Sequence, residues 1–335
     1  MKNGSPAKVR NGYFDFLRGI AIIFVVGIHV FPDGGLDADF SKHAAPFLRE
    51  VFNCAVPLFL AISGYFIGRL NLKAKQDRVS FWKKQIPKVY IPCLLWSLPM
   101  FYRNVFVHGG SVINGLLQLL LCAFGVFYFV LVIVQMYLIL PRIKRICTKR
   151  GVVMLALVSL LSIFLVNSFF NQLSGLQFGM VPVLAWPTLW LGFFALGIYL
   201  ANSSAREYGR ILPFCCMLLG LVMAICEQSL WPDIESEYFG YKVSSFVYSY
   251  GVVLLLFSKR TEMSYLKSTG VVKSALNKVG LMSFGVYLIH FEVIWQLPEA
   301  HWLVQWLLVL LVAISFIVVA RRLFPVFSKK YLGFY

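Results

Sequence analysis

Charge is scarce in this sequence. Only 13% of its 335 residues are Asp, Glu, Lys or Arg, where a soluble domain carries about a quarter. That shortage excludes an ordinary soluble fold. Acidic side chains are the scarcer kind: 14 Asp and Glu stand against 31 Lys and Arg, for a net charge of +17. There is no polar stretch of domain length, no internal repeat, no low-complexity tract and no domain linker. The cysteines (Cys54, Cys93, Cys122, Cys147, Cys215, Cys216 and Cys226) are odd in number, lie mostly in apolar runs and show no metal-ligand spacing. They read as small apolar packing residues. No serine elbow or nucleophile–base motif is visible.

Apolar residues, in contrast, make up 59% of the chain, and mean hydropathy is +0.77. The expectation is an all-α, polytopic integral membrane bundle. Spans of roughly 20 residues leave room for about ten. Apolar runs fall near 14–32, 48–68, 86–107, 111–124, 126–141, 152–170, 185–201, 211–226, 242–257, 278–296 and 302–323. If all of them crossed from a cytoplasmic N-terminus, the basic run 142–150 would face outside, against the positive-inside rule. Treating the short 111–124 run as re-entrant or interfacial restores the pattern. The chain then reads as one membrane-embedded domain over 1–335, with ten spans and both termini cytoplasmic.

In that arrangement the cytoplasmic side holds 26 of the 31 Lys and Arg. The outer side holds Lys42, Arg49, Arg103 and Lys242, and Arg18 lies inside a span. Asp33, Asp37, Asp39, Glu50, Glu227, Asp233, Glu235, Glu237 and Glu299 fall outside. The basic excess is therefore a topology signal and not a nucleic-acid surface. The first apolar run shows no clear cleavage site and is expected to be retained.

That first run holds the most informative residues. Arg18 and His29 are ionisable groups within a span, which is costly and marks function by default. They are eleven residues apart, nearly three full turns, so they leave one helix face roughly 16 Å apart along its axis. The predicted orientation puts Arg18 toward the cytoplasm and His29 toward the outside. Asp15 is three residues before Arg18 and can pair with it. The plainer alternatives are an ion pair that merely eases Arg18 into the membrane and a packing histidine.

Other polar groups are weaker signals. In the second span Pro57 can kink the helix, Gly64 allows close approach of a helix or a ligand chain, and Ser63 and Tyr65 bring hydroxyls to membrane depth. Ordinary small-residue packing is the alternative. Arg69, Lys83, Lys84 and Lys88 belong to a dense basic strip, read either as positive-inside charge or as a dock for a polyanionic cofactor. Near the C-terminus, Tyr287, His290 and the pair Leu288 and Glu292 share helical spacings; they read either as a polar cluster that would cap or line the cavity faced by His29 or as structural packing residues.

Taken in order, these residues resemble the acyltransferase-3 family of bacterial membrane acyltransferases. The resemblance rests on Asp15, Arg18, Gly19 and His29; Val56 to Phe59; Ser63, Gly64 and Tyr65; Phe81 and the basic pair leading to Pro92; Tyr137 and Pro141; Gly192 to Gly197; and Gly285 to His290. Two departures are visible. Residues 125–129 hold no histidine where the family often has one, and Lys83, Lys84 and Lys88 stand where it has an arginine pair.

The resemblance implies an acyltransferase of the bacterial cytoplasmic (inner) membrane, multi-pass, moving an acetyl group from acetyl-CoA to a hydroxyl of an envelope or exported glycan such as O-antigen, lipopolysaccharide or exopolysaccharide. It implies Arg18 and His29 as the essential pair. Acetyl-CoA would dock on Arg18, Arg69, Lys83, Lys84 and Lys88. Ser63, Tyr65, Tyr137 and His290 would serve the acceptor or the oxyanion, and Asp15 a structural ion pair. No metal, resident cofactor or nucleic acid is expected. A transporter or flippase for a glycan or lipid-linked sugar is the alternative.

Overall fold

The computed structural model describes residues 12–30, 45–169, 181–230, 242–298 and 300–335. The helices, in chain order, are α1 (Gly12–Val30), α2 (Ala45–Phe52), α3 (Ala55–Gly68), α4 (Lys75–Tyr102), α5 (Val112–Leu120), α6 (Tyr128–Ile146), α7 (Lys149–Ser168) and α8 (Val181–Leu184). They continue as α9 (Pro187–Leu200), α10 (Ile211–Leu230), α11 (Val243–Phe257), α12 (Lys259–Lys267), α13 (Val271–Leu281), α14 (Ser283–Gln296), α15 (Trp302–Leu323) and α16 (Pro325–Tyr331). No strand occurs among the described residues. The predicted outer residues Asp33, Asp37, Asp39, Lys42, Asp233, Glu235, Glu237 and Glu299, and the basic N-terminal tail, lie outside the described residues.

Five helical stretches are long and apolar enough to cross a membrane: Gly12–Val30, Phe47–Gly68, Gly125–Ile146, Lys149–Ser168 and Trp302–Leu323. A sixth candidate is α13 with α14, bent by 78° at Met282. Pro187–Leu200, Ile211–Ala224 and Val243–Phe257 are shorter apolar helices. The 28-residue α4 is polar in its first half and carries Pro87, Pro92 and Pro99. The 111–124 run becomes the nine-residue α5, about 13 Å long at 1.5 Å per residue.

Pro57 does not kink its helix. The helix breaks before it, at Asn53 and Cys54, and Pro57 occupies the third position of α3. The first four N–H groups of a helix have no partner within it, so the missing donor costs nothing there.

Small residues set how closely the helices approach. A Cβ on Gly64 would overlap the carbonyl oxygen of Phe194, and one on Gly197 would overlap that of Ala61. These reciprocal contacts lock α3 against α9. In the same way a Cβ on Gly19 would overlap the Leu276 carbonyl, and one on Gly280 that of Asp15. The latter pair clamps α13 to α1 beside Arg18. At the other end of α1, Gly27 leaves room for the rings of Phe52 and Trp306, and the Trp306 indole N–H donates to the Ile23 carbonyl at 3.1 Å. α1 is thus held from both ends, with one face left toward the interior.

Candidate active site

That face borders a cavity of about 750 Å³. Arg18 and His29 both line it, so the two ends of one helical stripe open into a single space. The predicted Asp15–Arg18 pair is formed: Arg18 Nη1 donates to Asp15 Oδ1 at 2.8 Å. Asp15 is buried, while the Arg18 guanidinium lies 4.9 Å from the centre of the Phe66 ring. The ion pair and the cavity position therefore coexist.

Packing defines the Arg18 end. Gly280 abuts Asp15 and Gly19. Four residues on, Phe284 stacks with Tyr335, ring centres 6.3 Å apart, and the Tyr335 hydroxyl donates to the Lys88 carbonyl at 3.0 Å. Lys88, Gln85, Ser283, Phe284 and Tyr335 all line the cavity. Gln85, Lys88 and Val89 share the cavity side of α4 because they are spaced i, i+3, i+4.

The His29 end is more polar. The His29 side chain is exposed, and it borders the cavity. Around it the lining includes Arg49 and Asn53 from α2 and the α2–α3 junction and Ser245 and Ser249 from α11. Ser245 Oγ donates to Glu50 Oε2 at 3.0 Å, and Asn53 Nδ2 reaches both Glu50 and Ser245 at 3.4 Å. Lys242 Nζ stands 3.9 Å from the same Glu50 carboxylate. Sequence reasoning missed Asn53, Ser245 and Ser249 and counted Arg49 only as an outer charge. The i, i+4 serine pair on an otherwise apolar helix was the available signal.

Behind His29 stands His290, fully buried, with ring centres 5.3 Å apart and planes 37° apart. Phe291 meets His29 edge-on at 5.9 Å. His290 does not itself line the cavity, whereas Tyr287 does and donates its hydroxyl to the Val126 carbonyl at 2.6 Å. Glu292 turns elsewhere, to a two-pronged pair with Arg103, whose guanidinium covers the Trp295 ring at 4.0 Å.

Among the other predicted residues, Ser63 and Tyr137 line the cavity. Tyr65 does not. Its ring stacks on Phe14 at 4.2 Å, and its hydroxyl accepts from Arg69 and, at 3.0 Å, from Arg206. Arg206 is buried and also bonds the Phe257 carbonyl and the Glu262 carboxylate, each at 2.6 Å. Arg69 lies over the Tyr65 ring in this network, apart from the cavity. Lys83 and Lys84 line a separate shallow groove with Lys75, Gln76, Val79 and Ser80. The basic strip is therefore split, and Lys88 is its member that reaches the cavity. The described lining carries Arg18, Arg49 and Lys88 and no Asp or Glu.

A family model described as an acyltransferase domain matches residues 11–322. The nodulation protein NolL of Sinorhizobium fredii (strain NBRC 101917 / NGR234) is 27% identical over 220 residues, covering 63% of this chain and 56% of that protein. An amino-acid racemase of Enterococcus faecalis is 33% identical over 130 residues, 36% of this chain and 17% of that protein. The chain thus spans at most about half the length of these curated relatives. No solved structure matches it.

Proposed function

The chain belongs to the acyltransferase-3 family, and from that premise we propose that it is an integral-membrane O-acyltransferase that moves an acetyl group from acetyl-CoA to a hydroxyl of an envelope or exported glycan. The observation that carries this reading is the single cavity lined by both Arg18 and His29. The donor occupies the Arg18 end. Its phosphates meet Lys88 and Arg18 there, with Lys83 and Lys84 nearby on the same helix, since lysine serves phosphate as a point charge. The pantetheine arm runs along the α1 stripe, and the thioester reaches His29.

The acceptor enters at the other end, among Arg49, Asn53, Ser245 and Ser249, whose donors and acceptors suit a hydroxylated ligand. His29 takes the proton of the acceptor hydroxyl as its oxygen attacks the thioester carbonyl. The C–S bond breaks, and the proton passes from His29 to the departing thiolate. General-base catalysis by a positioned imidazole is worth about 10²–10⁴-fold. Ser63, one turn from the Phe66 ring that Arg18 covers, and Tyr137, beside Arg18, bring their hydroxyls to the donor's path at that end of the cavity and not to the thioester carbonyl.

The ten-span topology belongs to this reading. The six long candidates, the three shorter apolar helices and α4 give ten segments, with α5 left outside the count. Both termini are then cytoplasmic, the donor arrives from the cytoplasm, and the membrane is the bacterial inner membrane.

The test uses the purified chain in lipid with labelled acetyl-CoA and a panel of glycans, wild type beside His29→Ala and Arg18→Ala. Expected are coenzyme A release and label transfer in the wild type, lost in both variants. Movement of glycan across the bilayer without consumption of acetyl-CoA would reject the enzyme in favour of a transporter.

A further inference from the structure

His290 is fully buried, and its two ring nitrogens have opposite circumstances. Nδ1 contacts two main-chain carbonyls of its own helix, Tyr287 at 2.7 Å and Val286 at 3.3 Å. A carbonyl oxygen can only accept, so Nδ1 carries the proton and Nε2 carries the lone pair. Nε2 is buried and has no hydrogen-bond partner. A buried acceptor left bare is uncommon and calls for an explanation.

The neighbouring rings narrow the choice. Phe291 has no donor, and the Tyr287 hydroxyl is already given to Val126. The remaining ring is His29, at 5.3 Å between centres. Two imidazoles joined by an N–H···N bond of about 2.9 Å have centres about 5 Å apart, so the spacing suits such a bond although the rings are not aligned for it here. Rotation about the final torsion of a histidine is soft, and the His29 ring borders open cavity.

We propose that His290 is a positioning residue for the acyl transfer: its Nε2 accepts the N–H of His29 and thereby fixes the His29 tautomer. A neutral imidazole has one N–H and one lone pair. With the N–H turned back to His290, the lone pair faces the cavity, where the acceptor hydroxyl must give up its proton. Tightening of such a bond on substrate binding is common in catalytic sites. His290 itself neither gains nor loses a proton in the cycle. The inference rests on the reading of His29 as general base, and adds what holds that base in its working form.

Two variants and one spectrum test it. His290→Leu removes the acceptor, whereas His290→Gln places a carbonyl oxygen near the position of Nε2. In the reconstituted protein, His290→Leu is expected to lower kcat by about 10- to 100-fold, as loss of an orienting partner does elsewhere, with the acetyl-CoA KM unchanged. His290→Gln is expected to stay within a few-fold of wild type. Independently, ¹⁵N spectra of histidine-labelled wild-type protein with bound coenzyme A should show His29 in one tautomer with a hydrogen-bonded N–H. The five histidines are assigned by single substitutions.

A mixed His29 tautomer in the wild type would overturn the proposal, as would a His290→Leu variant with wild-type kcat. Equal losses in Leu and Gln variants would also reject it, because packing alone would then account for them. If the wild type consumes no acetyl-CoA, the acyltransferase reading fails, while the ¹⁵N spectrum still decides the His29–His290 contact.

Discussion

The first long helix and the last long helix are both apolar enough to span a membrane, yet the protein uses them in opposite ways. The most apolar window of α1 is 61% buried and that of α15 only 22%. Between Trp302 and Ala320, α15 has no ionisable side chain. It buries Val309, Ala313 and Ile317, one residue per turn, and leaves Leu307, Leu311, Phe316 and Val319 exposed. α1 carries Asp15, which is buried against Arg18, and turns Arg18 and His29 to a cavity. The difference teaches that hydropathy finds a span while the rare polar residue tells which way it faces. A charge that would be costly against lipid tails is tolerable only on an interior or cavity face.

The contrast can be broken most sharply at His29. Replacing it with alanine should lower kcat by about 10²–10⁴-fold, measured as coenzyme A release with a transferable acceptor. Next comes the clamp that holds α1. Gly280→Leu drives a side chain into the Asp15 carbonyl and should cost about 1–3 kcal/mol, read as a lower unfolding temperature in detergent or lipid. A smaller effect is expected where the basic strip divides. Lys88→Ala should raise the acetyl-CoA KM by about tenfold, the value of one charge-assisted contact. Lys83→Ala, in the separate shallow groove, should raise it less. The smallest effect belongs to α15: Leu311→Ala, on its exposed side, should change stability by no more than about 0.5 kcal/mol and leave kcat unaltered.

Much of this architecture was legible in the sequence because the signals are local. Apolar runs located the long helices, and the eleven-residue spacing placed Arg18 and His29 on one stripe, where the structure has them. The Asp15–Arg18 pair follows from a three-residue separation and is present. What escaped depends on which helix lies beside which. Asn53 and Ser245 meet across 192 residues of chain, and no single helix announces that meeting. Tyr65 looked like a hydroxyl for the acceptor, but the side of α3 it occupies is taken by Phe14 and two arginines. The 78° bend at Met282 falls inside a continuous apolar run, where composition gives no warning of a change in direction. His290 was visible as a costly residue, whereas its place behind His29 required the packing of α14 against α1.

The most direct measurement separates the two ends of the cavity. Binding of coenzyme A and turnover of acetyl-CoA are measured side by side for wild type, Arg18→Ala and His29→Ala in lipid. Donor recognition at Arg18 and chemistry at His29 predict that His29→Ala binds coenzyme A as the wild type does and does not turn over, while Arg18→Ala binds it more weakly. If His29→Ala loses binding, or Arg18→Ala binds as tightly as the wild type, the division of labour along α1 is contradicted.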